Sequence, residues 1–287
     1  MKQLTDKGIG FGFLREGWAI EFEYGKIEPL DDFVEVRNSV MKLVNADGYF
    51  YPPETRLQTT TSGSKWRTIP KTKRPAHTYH VPSSHRLYLN LPKPEPDVHD
   101  GSAAFILHLV AFFFRTRLQF ADWLSDGRIP LNKTRDRNVA TPAHAGKSIS
   151  HCHRLWLNWP NSVKRRFTSI LYMFSRAESY EWDWEEFIIE YMILDALWKC
   201  ATELFGLKSN QHAKRVEKLL AHFSITLEPG FLSIRKMVQM RNDLLHEALW
   251  FDSRPGSTNC IQILPYYMPM RMCMLNQMLI TRFFVLT

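Results

Sequence analysis

The sequence contains few cysteines, and they form no recognisable framework. None belongs to a Cys-x-x-Cys motif, and the four are widely spaced: Cys152, Cys200, Cys260 and Cys273. This spacing argues against a disulfide scaffold and against a cysteine zinc site, and it favours a reducing compartment. The segment His151-Cys152-His153 comes nearest to a metal-ligand cluster. Without a second pair of ligands it is more typical of ordinary loop residues, so no metal site is expected.

Long hydrophobic segments are also missing. The longest apolar run, Ala103–Phe114, has twelve positions and includes His108, whereas a helix needs roughly 20 apolar residues to cross a bilayer. Residues 1–13 lack the apolar core of a secretory signal peptide. We therefore expect a soluble, cytoplasmic protein that has no membrane partner.

The common nucleotide-binding and hydrolase motifs do not occur. The sequence has no GxGxxG, no P-loop, no HExxH and no GxSxG, which removes the usual signals of dinucleotide, P-loop, zinc-protease and serine-hydrolase chemistry. No cofactor is expected. A hydrophobic content of 45% with 23% charged residues is typical of a globular chain, and 287 residues suit one large or two modest domains.

Positive charge is in excess, and the excess is local. The formal net charge is +8, but residues 51–170 alone carry a net +12. Such a surface suits a polyanion, because phosphate contacts dominate nucleic-acid affinity. The side chains expected to contact an RNA backbone are Arg128, Lys133, Arg135 and Arg137, and those expected to stack on its bases are Trp66, Trp156 and Trp159. A solubilising basic face without a ligand is the alternative.

The hydrophobic pattern changes near residue 100. Before it, apolar residues alternate in short runs between glycines, which is typical of strands. Strands are predicted over Ile9–Leu14, Trp18–Tyr24, Phe33–Val44, Tyr49–Tyr51 and Arg86–Leu91. After Ser102, a candidate helix N-cap, the period becomes helical. Helices are predicted over Ala103–Leu124, Ser162–Ser179, Trp182–Phe205, His212–Phe223, Leu232–Trp250 and Tyr266–Phe284.

These patterns predict an α+β fold with two domains. Residues 1–100 are expected to form a β-rich N-terminal domain that senses a signal or binds RNA. Residues 101–287 are expected to form an all-α helical bundle. A basic loop with little periodicity, residues 125–160, interrupts this bundle and carries the arginines and lysine expected to contact RNA.

One predicted helix combines apolar periodicity with three polar residues. A helical wheel with Met237 at 0° places Arg241 at about 40°, in the middle of the apolar stripe. Asn242 and His246 follow at about 140° and 180°, at and beyond the edge of the stripe. A guanidinium in that position must be paired or face an interface, since unpaired burial is costly. The pattern predicts a polar site in an apolar helix; the alternative is a structural ion pair between Arg241 and Asp195.

The segment Met240–Glu247 resembles the R-x(4–6)-H signature of HEPN domains, helical-bundle modules found in many RNases of toxin and antiphage systems. An R-N-x-x-x-H motif in a late helix, behind a long apolar helix and a loop, is similar to HEPN order across residues 100–287. The β-rich half before it is similar to the Apea-like branch. The resemblance implies that the bundle is HEPN-like, that Arg241 and His246 are catalytic, and that Asn242 shapes the site.

The resemblance also implies a reaction and partners. The expected activity is a metal-independent endoribonuclease, a toxin or antiphage effector of the abortive-infection type that cleaves single-stranded or tRNA-loop RNA by 2′-OH attack. HEPN sites generally form across a two-fold axis, so a homodimer is expected, and a phage protein is a candidate trigger. HEPN toxins silenced by a partner nucleotidyltransferase often carry a tyrosine where this chain has Ala248. That form of regulation is therefore in doubt.

Two other classes of function fit the same sequence. One is a HEPN-like module that holds nucleic acid or nucleotide without catalysis. The other is a sensor whose β-rich half detects a phage component. Nuclease activity that is lost on changing His246 separates the first expectation from both alternatives, whereas RNA binding without any cleavage favours the binding module.

Overall fold

The structure of the chain, a computed structural model, divides into two compact units, Met1–Ser150 and His151–Thr287. It describes residues 8–52, 58–61, 65–68, 80–91, 95, 100–123, 127–131, 141–250, 253–255 and 263–286. These residues form both helices and antiparallel strands, so the predicted α+β class is confirmed. Within them, no helix has the length and the hydropathy needed to cross a membrane.

A five-stranded antiparallel sheet organises the first unit. Its strands are β1 (Ile9–Gly12), β2 (Ile20–Phe22), β3 (Gly25–Pro29), β7 (His85–Leu89) and β8 (Gln119–Phe120). They are ordered β2-β3-β7-β1-β8. Two more pairs join β4 (Tyr49–Phe50) to β9 (Ile129–Pro130) and β5 (Gln58–Thr61) to β6 (Lys65–Thr68). Alternation made the first strands predictable, since in β2 the buried Ile20 and Phe22 flank an exposed Glu21.

Helix α1 (Phe33–Met41) corrects the predicted strand over Phe33–Val44. Within this segment Val36 and Val40 are spaced by four residues and share one face of the helix, whereas Val44 follows the helix and forms an isolated bridge with Phe50. Val40 is buried in a cluster with Phe13, Phe50, Val81, Ile129 and Leu131, and Val36 and Val44 pack against that cluster. Tertiary packing, not β propensity, determines the local structure here.

Helix α2 (Ser102–Phe113) is buried along its whole length and packs against β7. Glu95 caps its start, accepting hydrogen bonds from the backbone N and the Oγ of Ser102, both at 2.6 Å. The helix ends at Phe113, well before the predicted Leu124, because Arg115 has a φ of 49° and the chain then enters β8. Both elements belong to the first unit, whereas the sequence predicted a boundary near residue 100.

Helix α3 (Pro142–Asn158) replaces the C-terminal part of the predicted basic loop, residues 125–160. The buried residues Ala145, Ile149, Cys152 and Trp156 recur every three or four positions, which is a helical period. Glycine, serine and histidine between them conceal that period in the sequence. Pro142 stands at the first helical position, where a proline is well tolerated.

The described part of the second unit is helical apart from one bridge between Trp250 and Ser253. Its helices after α3 are α4 (Asn161–Ala177), α5 (Asp183–Phe205), α6 (His212–His222), α7 (Ile234–Glu247) and α8 (Ile263–Leu286). Helix α5 packs against α4, α6 and α8, and α6 packs against α7. All five were predicted within a few residues, because strong apolar periodicity leaves little ambiguity about helices of this length.

Candidate functional site

Helix α7 carries the Arg-Asn-His motif, and its two ends are well defined. Ser233 Oγ accepts a hydrogen bond from the backbone N of Lys236 at 3.3 Å and so caps the start. Ala248 adopts a left-handed conformation at the other end, with a φ of 54°, and the backbone N of Leu249 donates to the carbonyl of Asp243. This pattern closes a helix. The motif therefore occupies the last turns of a helix that is fixed at both ends.

The buried face of α7 is rotated from the predicted stripe. Met237 and Met240, at about 0° and 300° on the wheel, are the helix residues that are buried. Leu245, at about 80°, is 49% exposed. Arg241, at about 40°, is half-buried. The arginine thus lies at the edge of the buried face and not in its middle, so it has one side against protein and the other open.

The structure brings the three predicted site residues together. NH1 of Arg241 donates to Oδ1 of Asn242 at 2.9 Å and contacts Nε2 of His246 at 3.3 Å. Because a guanidinium has no acceptor atom, the imidazole Nε2 must be the acceptor and therefore carries no proton in this arrangement. Asn242 and His246 are both exposed. The motif is therefore an accessible group in which one cation faces an unprotonated ring nitrogen.

The other side of Arg241 faces α5. Its guanidinium carbon lies 5.9 Å from the ring centroid of Tyr191, which is 3% exposed and so forms a buried aromatic floor. Nε of Arg241 is buried and makes no hydrogen bond with any residue that the structure describes. A buried donor without an acceptor is costly. The guanidinium is therefore held by the ring below it and by its two polar neighbours, with one donor unsatisfied.

Tyr191 links Arg241 to a second polar group on α5 and α6. The phenol oxygen of Tyr191 lies 3.0 Å from Nδ1 of His212. Oδ1 of Asp195 lies 3.6 Å from the same ring nitrogen and 3.6 Å from NH1 of Arg215. Arg215 also donates through Nε to the carbonyl of Ser209 at 3.2 Å. Asp195 was the candidate partner of Arg241, but in the structure its ion-pair partners among the described residues are His212 and Arg215.

The surroundings change the proton affinity of two members of this group. Burial raises the pKa of Tyr191 to about 12, an effect to which Asp195 adds and which Arg241 and Arg215 oppose, so its hydroxyl stays protonated at all physiological pH values. Burial also lowers the pKa of His212; Asp195 opposes this effect, while Arg215 and Arg241 reinforce it. The charge of Arg241 therefore acts on the pKa of His212, as does the charge of Arg215 on the same helix as His212.

Sequence reasoning missed Tyr191, His212 and Arg215. Only 22% of the side chain of Arg215 is exposed. The available signal was weak: polar residues four apart on α5, at 191 and 195, and three apart on α6, at 212 and 215, each form a polar edge on a helix. Nothing in the sequence indicates that these two edges meet α7.

The residues expected to bind RNA are only partly described. Arg128 is half-buried, with its guanidinium carbon 3.8 Å from the ring centroid of Tyr49, and its carbonyl accepts from Arg117. Lys133, Arg135 and Arg137 lie outside the described residues, as does the side chain of Trp66. Trp156 and Trp159 are buried in the protein and are not available to stack on bases, which corrects that expectation.

The segment His151-Cys152-His153 lies in α3 and not in a loop. Its side chains point to different surroundings: Nε2 of His151 contacts the carbonyl of Phe284 at 2.8 Å, whereas Cys152 and His153 are buried. Within the described part of the chain, no three His, Cys, Asp or Glu side chains are grouped so that they could hold a metal ion. Comparison with known proteins adds no assignment, since no family model, no curated protein and no solved structure matches this chain.

Proposed function

We propose that the chain is a metal-independent endoribonuclease of the HEPN type, with Arg241, Asn242 and His246 as its site. The observation that carries this proposal is the contact of one guanidinium nitrogen of Arg241 with both Asn242 Oδ1 and His246 Nε2. The proposal extends to the layout, a β-rich N-terminal part followed by a HEPN-like bundle. It also includes a role as a cytoplasmic toxin or antiphage effector, with a phage protein as trigger, which rests on the resemblance alone.

The three side chains can divide the chemistry of RNA cleavage between them. His246 takes the proton of the 2′-OH through its unprotonated Nε2, and the 2′-oxygen attacks the adjacent phosphorus. Arg241, which is charged at any working pH, stabilises the negative charge of the phosphorane. Asn242 holds the guanidinium in position. The bond from phosphorus to the 5′-oxygen then breaks, which leaves a 2′,3′-cyclic phosphate and, after protonation, a 5′-OH.

The carboxylates of the motif support a route that uses no metal. Asp243 and Glu247 lie at about 240° and 280° on the wheel, away from Arg241 at about 40°. Two-metal hydrolysis depends on carboxylates that hold both ions at the reacting phosphate. Attack by the 2′-OH of the substrate needs none, and it cannot operate on DNA.

Cleavage of RNA by the purified protein tests the proposal. Incubation with total cellular RNA, followed by sequencing of the new ends, should give 2′,3′-cyclic phosphate and 5′-OH termini, with and without EDTA. His246→Ala and Arg241→Ala should each lose cleavage, whereas His222→Ala, an exposed histidine of α6, should retain it. Folded wild-type protein that binds RNA without cutting it would favour the binding module, and products with 3′-OH ends would exclude this mechanism.

A homodimer through α7 is part of the proposal. Next to Arg241 the helix leaves an apolar side open, since Val238 is half-buried and Leu245 is 49% exposed. A second copy of this helix across a two-fold axis would cover that side and bring two motifs together. Light scattering at assay concentration should therefore report twice the chain mass. Full activity of a 33.8 kDa monomer would contradict the dimer.

A further inference from the structure

The proposed reaction needs two proton transfers, and the motif supplies a group for only one of them. His246 contacts Arg241 through an unprotonated Nε2, which suits a base and not a proton donor. A guanidinium is a poor proton donor at neutral pH, because it remains protonated. The leaving 5′-oxygen must therefore receive its proton from another group near Arg241, or from water.

A second histidine, His212, is linked to Arg241 through Tyr191. The ring of Tyr191 lies under the guanidinium of Arg241, and the hydroxyl of the same tyrosine contacts Nδ1 of His212 at 3.0 Å. The side chain of His212 is 28% exposed, so a substrate can reach it. His246, on the same helix, therefore contacts Arg241 directly, and His212 is connected to Arg241 through Tyr191.

The contacts of His212 fix which nitrogen is available. Nδ1 faces Tyr191 and, at 3.6 Å, the carboxylate of Asp195. Asp195 is in turn held by Arg215, which also donates to the carbonyl of Ser209. With Nδ1 occupied, Nε2 is the ring nitrogen left to contact a substrate. Burial lowers the pKa of His212 and Asp195 only opposes that effect, so the protonated ring gives up a proton more readily than an ordinary histidine. Such a ring can give up the Nε2 proton and retain the other one in its hydrogen bond.

We propose that His212 is the general acid of this site and donates its Nε2 proton to the 5′-oxygen as the bond from phosphorus to that oxygen breaks. This assignment rests on the proposed ribonuclease function. His246 receives the 2′-OH proton, the phosphodiester becomes a 2′,3′-cyclic phosphate, and His212 changes from imidazolium to neutral imidazole. Exchange of both protons with water restores the starting state.

A substrate that needs no proton on its leaving group tests the assignment. Two RNA oligomers are made around a cut site mapped in total RNA, with 2′-deoxy nucleotides at every position except the one that attacks. They differ only in the bridging atom, 5′-oxygen or 5′-sulfur. Because a thiolate leaves without protonation, loss of a general acid matters only for the oxygen substrate, where it costs about 10²- to 10⁴-fold.

His212→Ala should cleave the oxygen substrate at least about 100-fold more slowly than wild type and the sulfur substrate at nearly the wild-type rate. His246→Ala, which lacks the base, should be slow on both, and His222→Ala on neither. If His212→Ala melts early, His212→Gln, which can still contact Tyr191, takes its place. Equal slowing of both substrates, or no slowing of either, would overturn the assignment of His212 as the general acid and leave the ribonuclease proposal standing. Failure to find any cut site in total RNA overturns the ribonuclease proposal, and this assignment with it.

Discussion

At the residue scale, the candidate site depends on an arginine that is placed at a cost to stability. Arg241 has a buried Nε without a partner among the described residues, and its NH1 contacts two exposed side chains that could equally well contact water. An unsatisfied buried donor costs about 1–3 kcal/mol. Residues kept in spite of such a cost are typical of functional sites, where activity and stability are in conflict. The position therefore favours a functional role over a purely structural one.

Replacing Arg241 with methionine should separate the effect of this residue on stability from its effect on RNA cleavage. Arg241→Met keeps an apolar stem against Tyr191 and removes the unsatisfied donor, so we expect the free energy of unfolding in urea to be unchanged or to rise by up to about 1 kcal/mol. RNA cleavage should be lost. Arg235→Met, an exposed change on the same helix, should alter neither quantity. A loss of more than about 2 kcal/mol in Arg241→Met would show that the guanidinium holds the fold together.

At the scale of elements, close backbone contact positions the N-terminal part of α3, residues 142–150, against the sheet of the first unit. A Cβ added to Gly146 would lie 2.0 Å from the carbonyl oxygen of Glu21 in β2, so only glycine permits the observed approach. One turn later, Ser150 Oγ accepts a hydrogen bond from the backbone N of Glu23 at 2.9 Å. The helix therefore packs against the β2–β3 hairpin through Gly146, which has no side chain, and through the hydroxyl of Ser150.

Gly146→Ala should destabilise the first unit. The new methyl group overlaps a backbone oxygen, which cannot move aside as a flexible side chain can, so α3 must shift from the hairpin at a cost of roughly 1–3 kcal/mol. Chemical denaturation followed by tryptophan fluorescence measures this loss. Lys147→Ala, at the next and exposed position, is the matched control. Unchanged stability in Gly146→Ala would mean that the helix does not approach β2 in this way.

At the scale of the whole molecule, the described part of the first unit contains two buried histidines with a shared response to acid. His85 in β7 contacts Ser84 Oγ through Nδ1 at 2.9 Å, and His108 lies in the fully buried helix α2. Burial lowers the pKa of each to about 4. Both rings are therefore neutral in the folded protein at neutral pH, whereas in the unfolded chain they take up protons near pH 6.5.

Acid should therefore unfold the protein through this unit. Between pH 6.5 and 4 the unfolded chain binds more protons than the folded one, so stability is fully present above pH 6.5 and is lost as the pH falls toward 4. Each histidine contributes roughly 3 kcal/mol to this loss. Urea denaturation at pH 7 and pH 5 measures it. His108→Leu should reduce the dependence of the free energy of unfolding on pH, whereas His144→Gln, at an exposed position, should not. Equal pH dependence in the two variants would show that the buried histidines do not cause the loss.

The sequence alone determined helices α4–α7 of the second unit and the content of the motif. Strong apolar periodicity defines α4–α7, and Arg241, Asn242 and His246 meet because they lie within two turns of one helix. Local geometry of this kind is a property of the chain itself.

Only the tertiary structure decided how α7 is rotated and that residues 33–41 and 142–158 are helical. It also decided that Tyr191 lies against Arg241 and contacts His212. Each of these depends on packing between residues far apart in the chain: Val40 on Phe50, Gly146 on Glu21, and Arg241 on Tyr191. Periodicity states which side of an element is apolar, but only the neighbouring elements determine how much of that side is covered and which polar groups meet at its edge.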